Sequence, residues 1–506
     1  MGTVYHVMSR RRKATNAKAE AILEKTKNKE AKQNHSFKEA DIELQFSSNE
    51  TASKVHHNKA FANEEGAVSE TNDISSPANH TSGKEKVLHQ KMKKSDLIDD
   101  IMIGFSSINN GSKIMNTEPM AGNLGALNGI RVISMWWIIL GHTFSYALVG
   151  YYDNTRFIFD KVTLSFLFNG VINAYVAVDT FFFLSGLLLT YLTLKHLKKS
   201  SGRLNWFLFY LHRFIRLTPA YMVSIAIWAS LAIHFGQGPA KKNFFEAAAD
   251  ACRKYWWTNL LYINNLYPFP GDIEFQCHSW AWYLANDMQF FIISPIIIYL
   301  LYNAYNNNTV VVYGSATVDI IYGKPYCRIP AYLVGMVFGY IFCQVQGKPF
   351  KMSKFLNLFL WFVSTAVGLA IVFGLYRGEG KDIPQYAAVL YTVFSRPAFV
   401  TAVGWVAFAC VMGYGGPVNS LLSWGVWAPL SRLTYGAYLL HSTILYTIYT
   451  SSNAQYHFSY MQWVCMFLAN MILAYGAAFL LSIGVEGPFM GLEKALLGGG
   501  VRGKKK

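Results

Sequence analysis

Charge is what this 506-residue chain has least of. Only 15% of its residues are Asp, Glu, Lys or Arg, whereas 52% are hydrophobic and 16% aromatic. Soluble domains carry about 25% charged residues, so the composition excludes an ordinary water-soluble enzyme. Acids are the scarcer sign, 29 against 45 Lys and Arg. Within or at the end of the apolar runs they number three: Asp179, Asp287 and Glu486. Cysteine is also scarce, and the six present show no metal-ligand spacing, so no metal site is expected. Cys327, Cys343, Cys410 and Cys465 sit in or beside apolar runs and read as buried, inert thiols. Cys252 and Cys277 flank a polar, aromatic loop, and a disulfide is expected if that loop is extracytoplasmic. A Gly-x-Ser-x-Gly elbow is missing, so Ser185, between Leu184 and Gly186, reads as a helix-packing residue rather than a nucleophile. No secretory signal opens the chain, and His6 stands where myristoylation requires Ser or Thr. Nothing resembles a nucleic-acid module.

What is present is a series of apolar runs of about 20 residues, each long enough to cross roughly 30 Å of hydrocarbon. The fold class expected is all-α, a polytopic transmembrane helix bundle. Nine spans are placed near 130–151, 171–194, 217–235, 283–303, 330–346, 355–376, 393–414, 432–451 and 460–484. An aromatic-basic stretch, Trp206 to Leu217, is expected to lie along the membrane interface before the third. Residues 1–104 are polar and poor in large apolar side chains, so a disordered tail is expected there. Ala17 to Lys32 within it reads as a transient charged helix. The transmembrane domain covers 105–490, and 491–506 is a basic tail.

Loop charges give orientation. Lys195, Lys198, Lys199, Arg203, Arg213 and Arg216 come without an acid, so their loop is expected in the cytoplasm. Loops 152–170 and 236–282 are charge-balanced and fit the outside. The N-terminus is then cytoplasmic, and sequons at Asn34, Asn49, Asn79 and Asn110 stay silent. Strict alternation would place Lys348, Lys351 and Lys354 outside, against the positive-inside tendency. One further crossing between Tyr302 and Arg328 removes the conflict, yet Thr309 to Tyr322 is too short and too polar to supply an ordinary helix. The alternative is that these lysines violate the rule. The plasma membrane and the endoplasmic reticulum both suit such a protein.

The first span carries two ionisable groups, Arg131 and His142. They lie about 16 Å apart along a helix and three turns apart, hence on nearly the same face. Intramembrane ionisable residues are costly and mark pathways or reaction sites. A bland reading remains: an interfacial arginine and a histidine bonded between helices. The run Gly125-Ala-Leu-Asn-Gly-Ile-Arg131 through Gly141-His142 resembles the acyltransferase 3 family, and more narrowly its animal branch, the nose resistant to fluoxetine protein 6-like proteins. The resemblance continues through Ala177-Val-Asp179-Thr-Phe-Phe-Phe-Leu-Ser185-Gly186, Arg213-Phe-Ile-Arg216-Leu-Thr-Pro219-Ala-Tyr221 and Tyr255-Trp-Trp-Thr-Asn259-Leu-Leu-Tyr262. It includes Trp280-Ala-Trp282-Tyr283-Leu-Ala-Asn-Asp287-Met-Gln289 and Tyr326-Cys-Arg328-Ile-Pro330-Ala-Tyr332-Leu-Val-Gly335. It ends with Leu430-Ser-Arg-Leu-Thr434-Tyr435-Gly-Ala-Tyr438-Leu-Leu-His441 and Glu486-Gly-Pro488, so it covers about 105–490 in order.

The resemblance implies that His142 acts in acyl transfer and that Arg131 contributes near the acyl donor. Physically, neutral His142 can take the proton of an acceptor hydroxyl, and Arg131 can hold an anionic part of the donor. Asp179 is expected to orient His142, to pair with Arg131, or to form a purely structural ion pair. Arg213 and Arg216, three apart at the cytoplasmic edge, suit the phosphates of acyl-CoA, with Tyr221 on the same donor side; lipid headgroups would suit them equally. His278, Trp280, Asp287 and Gln289 are candidates for binding the acceptor, although an aromatic belt accounts for Trp280, Trp282 and Tyr283 without any function. Arg328, Tyr332, Tyr435, His441 and Glu486 are supporting candidates; His441 also reads as a core histidine with a hydroxyl partner, and Glu486 as a cap on a buried arginine. The role of Arg396 stays open.

The function expected is O-acyl transfer from acyl-CoA, the co-substrate, to a lipid or hydroxylated acceptor in or across the membrane, without metal or redox cofactor. A carrier or regulator of lipid or amphiphilic-drug uptake is the alternative. The resemblance also implies a signal peptide, a Cys-containing extracellular domain, an extra span before these nine and one more helix near 303–328. None is visible, which points to a truncated or variant form, and an inactive variant is the remaining alternative.

Overall fold

The structure is a computed structural model that describes residues 98, 101–118, 124–148, 150–231, 234, 241–268, 276–307, 325–346, 348, 350–374, 376 and 384–497. Residues 110–494 form one compact unit that holds every group discussed below; 98, 101–109 and 495–497 belong to a second. The polar stretch up to 97, three of its sequons, the charged segment 17–32 and the basic 498–506 lie outside the described residues. Asn110, the fourth sequon, is buried, and its side chain lies against Gly487.

Among the described residues the chain is helical and no strand forms; one isolated bridge joins Tyr152 and Tyr456. Ten helices of 20 residues or more organise it: α1 Gly125–Ser145, α2 Val176–Lys199, α3 Trp206–Leu231, α4 Lys241–Leu260, α5 Trp282–Asn307, α6 Pro325–Val345, α7 Lys354–Phe373, α8 Gln385–Val411, α9 Trp427–Thr450 and α10 Tyr460–Leu481. In hydrocarbon only a helix or a closed barrel satisfies every backbone N–H and C=O, which is why apolar runs fold this way. Ser353 and Ser459 cap α7 and α10 by accepting from Leu356 N and Gln462 N. Pro219, Pro295, Pro330 and Pro397 sit inside helices, as membrane helices tolerate.

Each of the nine expected spans finds its helix; α4, polar and amphipathic, is the tenth. Trp206 to Leu217 is not a separate interfacial segment but the first half of α3. Among the described residues, seven helical segments are long and apolar enough to cross a membrane. The two expected spans that fall short, α1 and α9, are the ones carrying His142 and His441.

Contacts fix the direction of each helix. On α2 and α6, Phe183 meets Gly335, Gly186 meets Tyr332 and Met336, and Leu187 and Thr190 meet Gly339, so the two run parallel. Gly335 and Gly339 form a small-xxx-small step that lets the backbones touch. α5 runs with α2, since Phe182 lies 4.6 Å from Tyr283 and Gly202 lies against Tyr302. α8 runs with α6, through Arg396 on the Cys327 carbonyl and Phe408 beside Phe342. α1 and α9 run together and opposite to these, with Gly129 against Leu422 at one end and Gly141 against Ala174 at the other. α5 and α6 therefore follow one another in the same direction, with Asn307 and Pro325 at opposite ends of the bundle; the further crossing expected between them lies outside the described residues. As a result Lys195, Lys198 and Lys348 gather at one end, around Cys343. Of the four cysteines outside the disulfide only Cys410 is buried, and Cys465 is exposed.

Candidate active site

The site is built where α1 and α9 run side by side. His142 Nδ1 lies 2.8 Å from His441 Nε2, and the two rings are nearly coplanar, edge to edge, with centroids 5.1 Å apart at 7°. His441 Nδ1 lies 2.8 Å from the carbonyl of Tyr438, one turn back on its own helix. A carbonyl only accepts, so in the neutral ring His441 Nδ1 carries the proton and Nε2 is the acceptor. His142 must then donate from Nδ1, which leaves Nε2 of His142 as a bare lone pair. Both tautomers are assigned from the bond pattern. Tyr146 stacks on His142 at 4.8 Å, and its hydroxyl meets Ser442 Oγ at 3.0 Å. Ser442 in turn reaches His441 Nε2 at 3.1 Å. His441 is fully buried while His142 is only half-buried, so the locked ring stands behind the accessible one.

Three turns towards the basic end, Arg131 donates to Ser431 at 3.1 Å. The charge of Arg216, exposed on α3, is felt by both Arg131 and Glu486. Glu486 accepts from Ser482 at 2.7 Å. No carboxylate forms an ion pair with Arg131 or Arg216 among the described residues. Arg213 is different: it pairs with Asp287, reaches Ser185 at 3.4 Å and lies over the Phe291 ring at 4.4 Å. The two arginines expected to act as a clamp are thus divided, one neutralised and one not.

Asp179 neither orients His142 nor pairs with Arg131. It is fully buried and bonds Arg328, equally buried, at 2.7 Å, with Arg396 at 4.0 Å. Arg328 also lies 5.0 Å over the Trp282 ring. These residues clamp α2 to α6 and α8. Tyr332, one turn on from Arg328, packs on Phe290 at 5.3 Å.

At the end opposite the basic one, the Cys252–Cys277 disulfide ties α4 to the start of α5. His278 follows it, fully buried beside Trp280 at 4.2 Å. Burial, more than the neighbouring His441, holds its imidazole down at about 3. Tyr221 lies here, its hydroxyl accepting from Asn259 at 2.7 Å, and not between Arg131 and Arg216. Burial pushes Tyr262 up to about 12, against its bond with Thr218. Gln289 bonds Asn265 and the Tyr262 carbonyl, and Tyr435 donates to the Leu217 carbonyl at 2.8 Å; both brace helices and touch neither histidine. No cluster of three His, Cys, Asp or Glu with metal-holding geometry occurs among the described residues.

Sequence reasoning named His142 and His441 but did not join them, and it missed Tyr146, Ser442 and Ser431. The only signal was spacing: 131 to 142 on α1 nearly matches 431 to 441 on α9.

A family model described as Acyltransferase domain matches residues 124–483. Nose resistant to fluoxetine protein 6 of Caenorhabditis elegans is 30% identical over a 456-position alignment, covering 78% of this chain and 54% of the relative. Regulator of hypoxia-inducible factor 1 of the same organism is 23% identical over 391 positions, covering 67% of this chain and 74% of the relative. The chain thus spans about half the length of the first of these relatives. No solved structure matches.

Proposed function

The chain belongs to the acyltransferase 3 family, an integral membrane protein of acyltransferase type, and on that premise we propose that it moves an acyl group from acyl-CoA to a hydroxyl acceptor with His142 as general base. The observation that carries this reading is the bare Nε2 of His142, fixed by the chain His142–His441–Tyr438 carbonyl. As the acceptor oxygen attacks the thioester carbonyl, a C–O bond forms and the C–S bond breaks. His142 Nε2 takes the hydroxyl proton and returns it to the departing thiolate. His441 is a positioning residue: it keeps the His142 proton on Nδ1 and accepts its hydrogen bond while the ring is charged. No metal or redox group takes part in these steps.

Arg131 and Arg216 supply the positive charge for the donor's phosphates, since Arg213 is committed to Asp287. Guanidinium forks suit phosphate. The donor enters from the basic end and its thioester reaches up α1 towards His142, over the roughly 16 Å between the two levels. The acceptor is a lipid or another hydroxylated compound.

The test uses the full chain in lipid nanodiscs with radiolabelled short-chain acyl-CoA, comparing wild type with His142→Ala. Acyl transfer to lipid or sugar acceptors in the wild type only is expected. Turnover that survives His142→Ala would remove this base from the mechanism. Flux of lipid or amphiphile without any acyl-CoA would instead mark a carrier.

A further inference from the structure

Seven cations meet at the basic end of the bundle. Lys195, Lys198 and Lys199 close α2, and Arg203 follows them; Lys348 and Lys351 lie in the link from α6 to α7, and Lys354 opens α7. All seven are exposed. Lys195, Lys198 and Lys348 come close enough to one point that all three charges act on the thiol of Cys343. No carboxylate pairs with Lys195, Lys199, Arg203, Lys348, Lys351 or Lys354 among the described residues. Topology asks only that cations share a side of the membrane. It does not ask that lysines from separate helices converge. Like charges held together repel, so the convergence calls for a counter-charge.

The cluster is also held in place. Lys195 Nζ donates to the Tyr191 hydroxyl at 3.4 Å and lies 5.5 Å over its ring. Tyr191 is buried and donates to Gln346, just past the end of α6. In the link beyond, the Tyr414 hydroxyl donates to the Phe350 carbonyl and accepts from Met352 N, each at 2.9 Å. Lys351 is therefore fixed between two bonds. Cations positioned in advance lose less freedom on binding. Depth identifies the partner. Leu192, one turn before Lys195, is 56% exposed, while Phe355 and Leu358, beside Lys354 and one turn on, are 81% and 70% exposed. Such apolar side chains face hydrocarbon, so the lysines stand where hydrocarbon gives way to headgroups, on stems that snorkel.

We propose that this cluster is a binding site for an anionic lipid whose headgroup carries several phosphates, with Lys195, Lys348 and Lys351 as its main contacts. Basic pockets between membrane helices suit such headgroups. A headgroup of clustered charge, rather than the diffuse charge of a leaflet, matches cations that two helices bring to one point. A lipid seated here ties α2 to α6 and α7. The site does not depend on the transfer reading above.

The experiment titrates short-chain phosphatidylinositol bisphosphate into the full chain in phosphatidylcholine nanodiscs and reads the melting temperature, which a ligand of the folded state raises. Phosphatidylserine at matched charge and pyrophosphate are the comparisons. Wild type is expected to shift with phosphatidylinositol bisphosphate and far less with either of the others. Lys195→Gln/Lys348→Gln/Lys351→Gln is expected to melt with wild type in phosphatidylcholine alone and to need about 100-fold more lipid for the same shift, the loss that three lysines beside anionic lipid carry. The charge-keeping Lys195→Arg/Lys348→Arg/Lys351→Arg should retain the shift. Arg156→Gln/Arg253→Gln/Lys254→Gln removes as many cations from the opposite end and should bind as wild type does. No shift in wild type overturns the proposal. An equal shift with phosphatidylserine would reduce the cluster to surface charge, and an equal shift with pyrophosphate would make its partner a soluble anion; either also overturns it. So does a glutamine variant of the cluster that binds as tightly as wild type, or one at the opposite end that loses as much.

Discussion

Tautomer locking is a single-atom effect, and it sets the strongest expectation at the residue scale. His142→Ala removes the base, and general-base contributions run to about 100–10,000-fold. His441→Ala frees His142 to carry its proton on Nε2, so a loss of similar order is expected. The double variant should be no worse than His142→Ala, because the two rings act as one unit. Additive losses in acyl-transfer rates would show that they act separately. The ion pair of Asp179 and Arg328 obeys another logic. Both are fully buried, so Arg328→Met strands a carboxylate whose other cation among the described residues, Arg396, is at 4.0 Å. A loss of about 3–5 kcal/mol is expected, read as a lower melting temperature in nanodiscs. Adding Asp179→Asn should recover part of it; no recovery would mean that packing, not charge, fixed the cost. The sequence exposed these charges as anomalies in apolar runs but could not pair them. Asp179 and Arg328 lie 149 positions apart, and His142 and His441 lie 299 apart.

At the scale of the element, helices were the legible part. Apolar runs mark them, and each of the nine expected spans has its helix, seven of them long and apolar enough to cross a membrane. What stayed hidden is which faces touch, because a helix apolar all round carries no directional pattern. The α2–α6 contact is the clearest case. A Cβ on Gly339 would meet the Leu187 carbonyl at 2.5 Å and Thr190 Cβ at 3.0 Å, and one on Gly335 would meet the Phe183 carbonyl. The two carbonyls are backbone and cannot swing away. Gly335→Leu and Gly339→Leu are expected to push α6 off α2 and break the Asp179–Arg328 bond with it, giving aggregated rather than monodisperse protein on size exclusion. Gly368, in the middle of α7, has nothing within 4 Å of such an atom. Gly368→Ala should therefore be neutral or stabilising by up to about 1 kcal/mol through helix propensity alone. Equal damage from Gly368→Ala and Gly339→Leu would show that α6 tolerates no special proximity.

Whole-molecule topology joins two independent lines of argument. Charge alone asks that Lys348, Lys351 and Lys354 share a side with Lys195, Lys198, Lys199 and Arg203. Helix direction, read from contacts between α2, α5 and α6, puts them there. Neither line depends on the other: one counts lysines, the other follows Phe183, Gly186 and Leu187 along α6. Together they require the chain between Asn307 and Pro325 to pass from one end of the bundle to the other. α6 is 21 residues long, about 32 Å at helical rise. Seventeen extended residues span at most about 60 Å, so length permits the passage. Lipid-exposed irregular backbone does not cross hydrocarbon, however, and a full crossing helix needs about 20 residues. A longer form of this protein with one more helix between 307 and 325 is thus expected to be the more stable one. Sequon tags inserted at 202 and at 351 should behave alike, both unmodified if the basic end is cytoplasmic, while a tag at 154 should be glycosylated. Opposite states at 202 and 351 would return the chain to strict alternation and leave the lysines as a true exception to the charge rule. Like states, together with a higher melting temperature on inserting an apolar 20-residue helix, would place the missing crossing there.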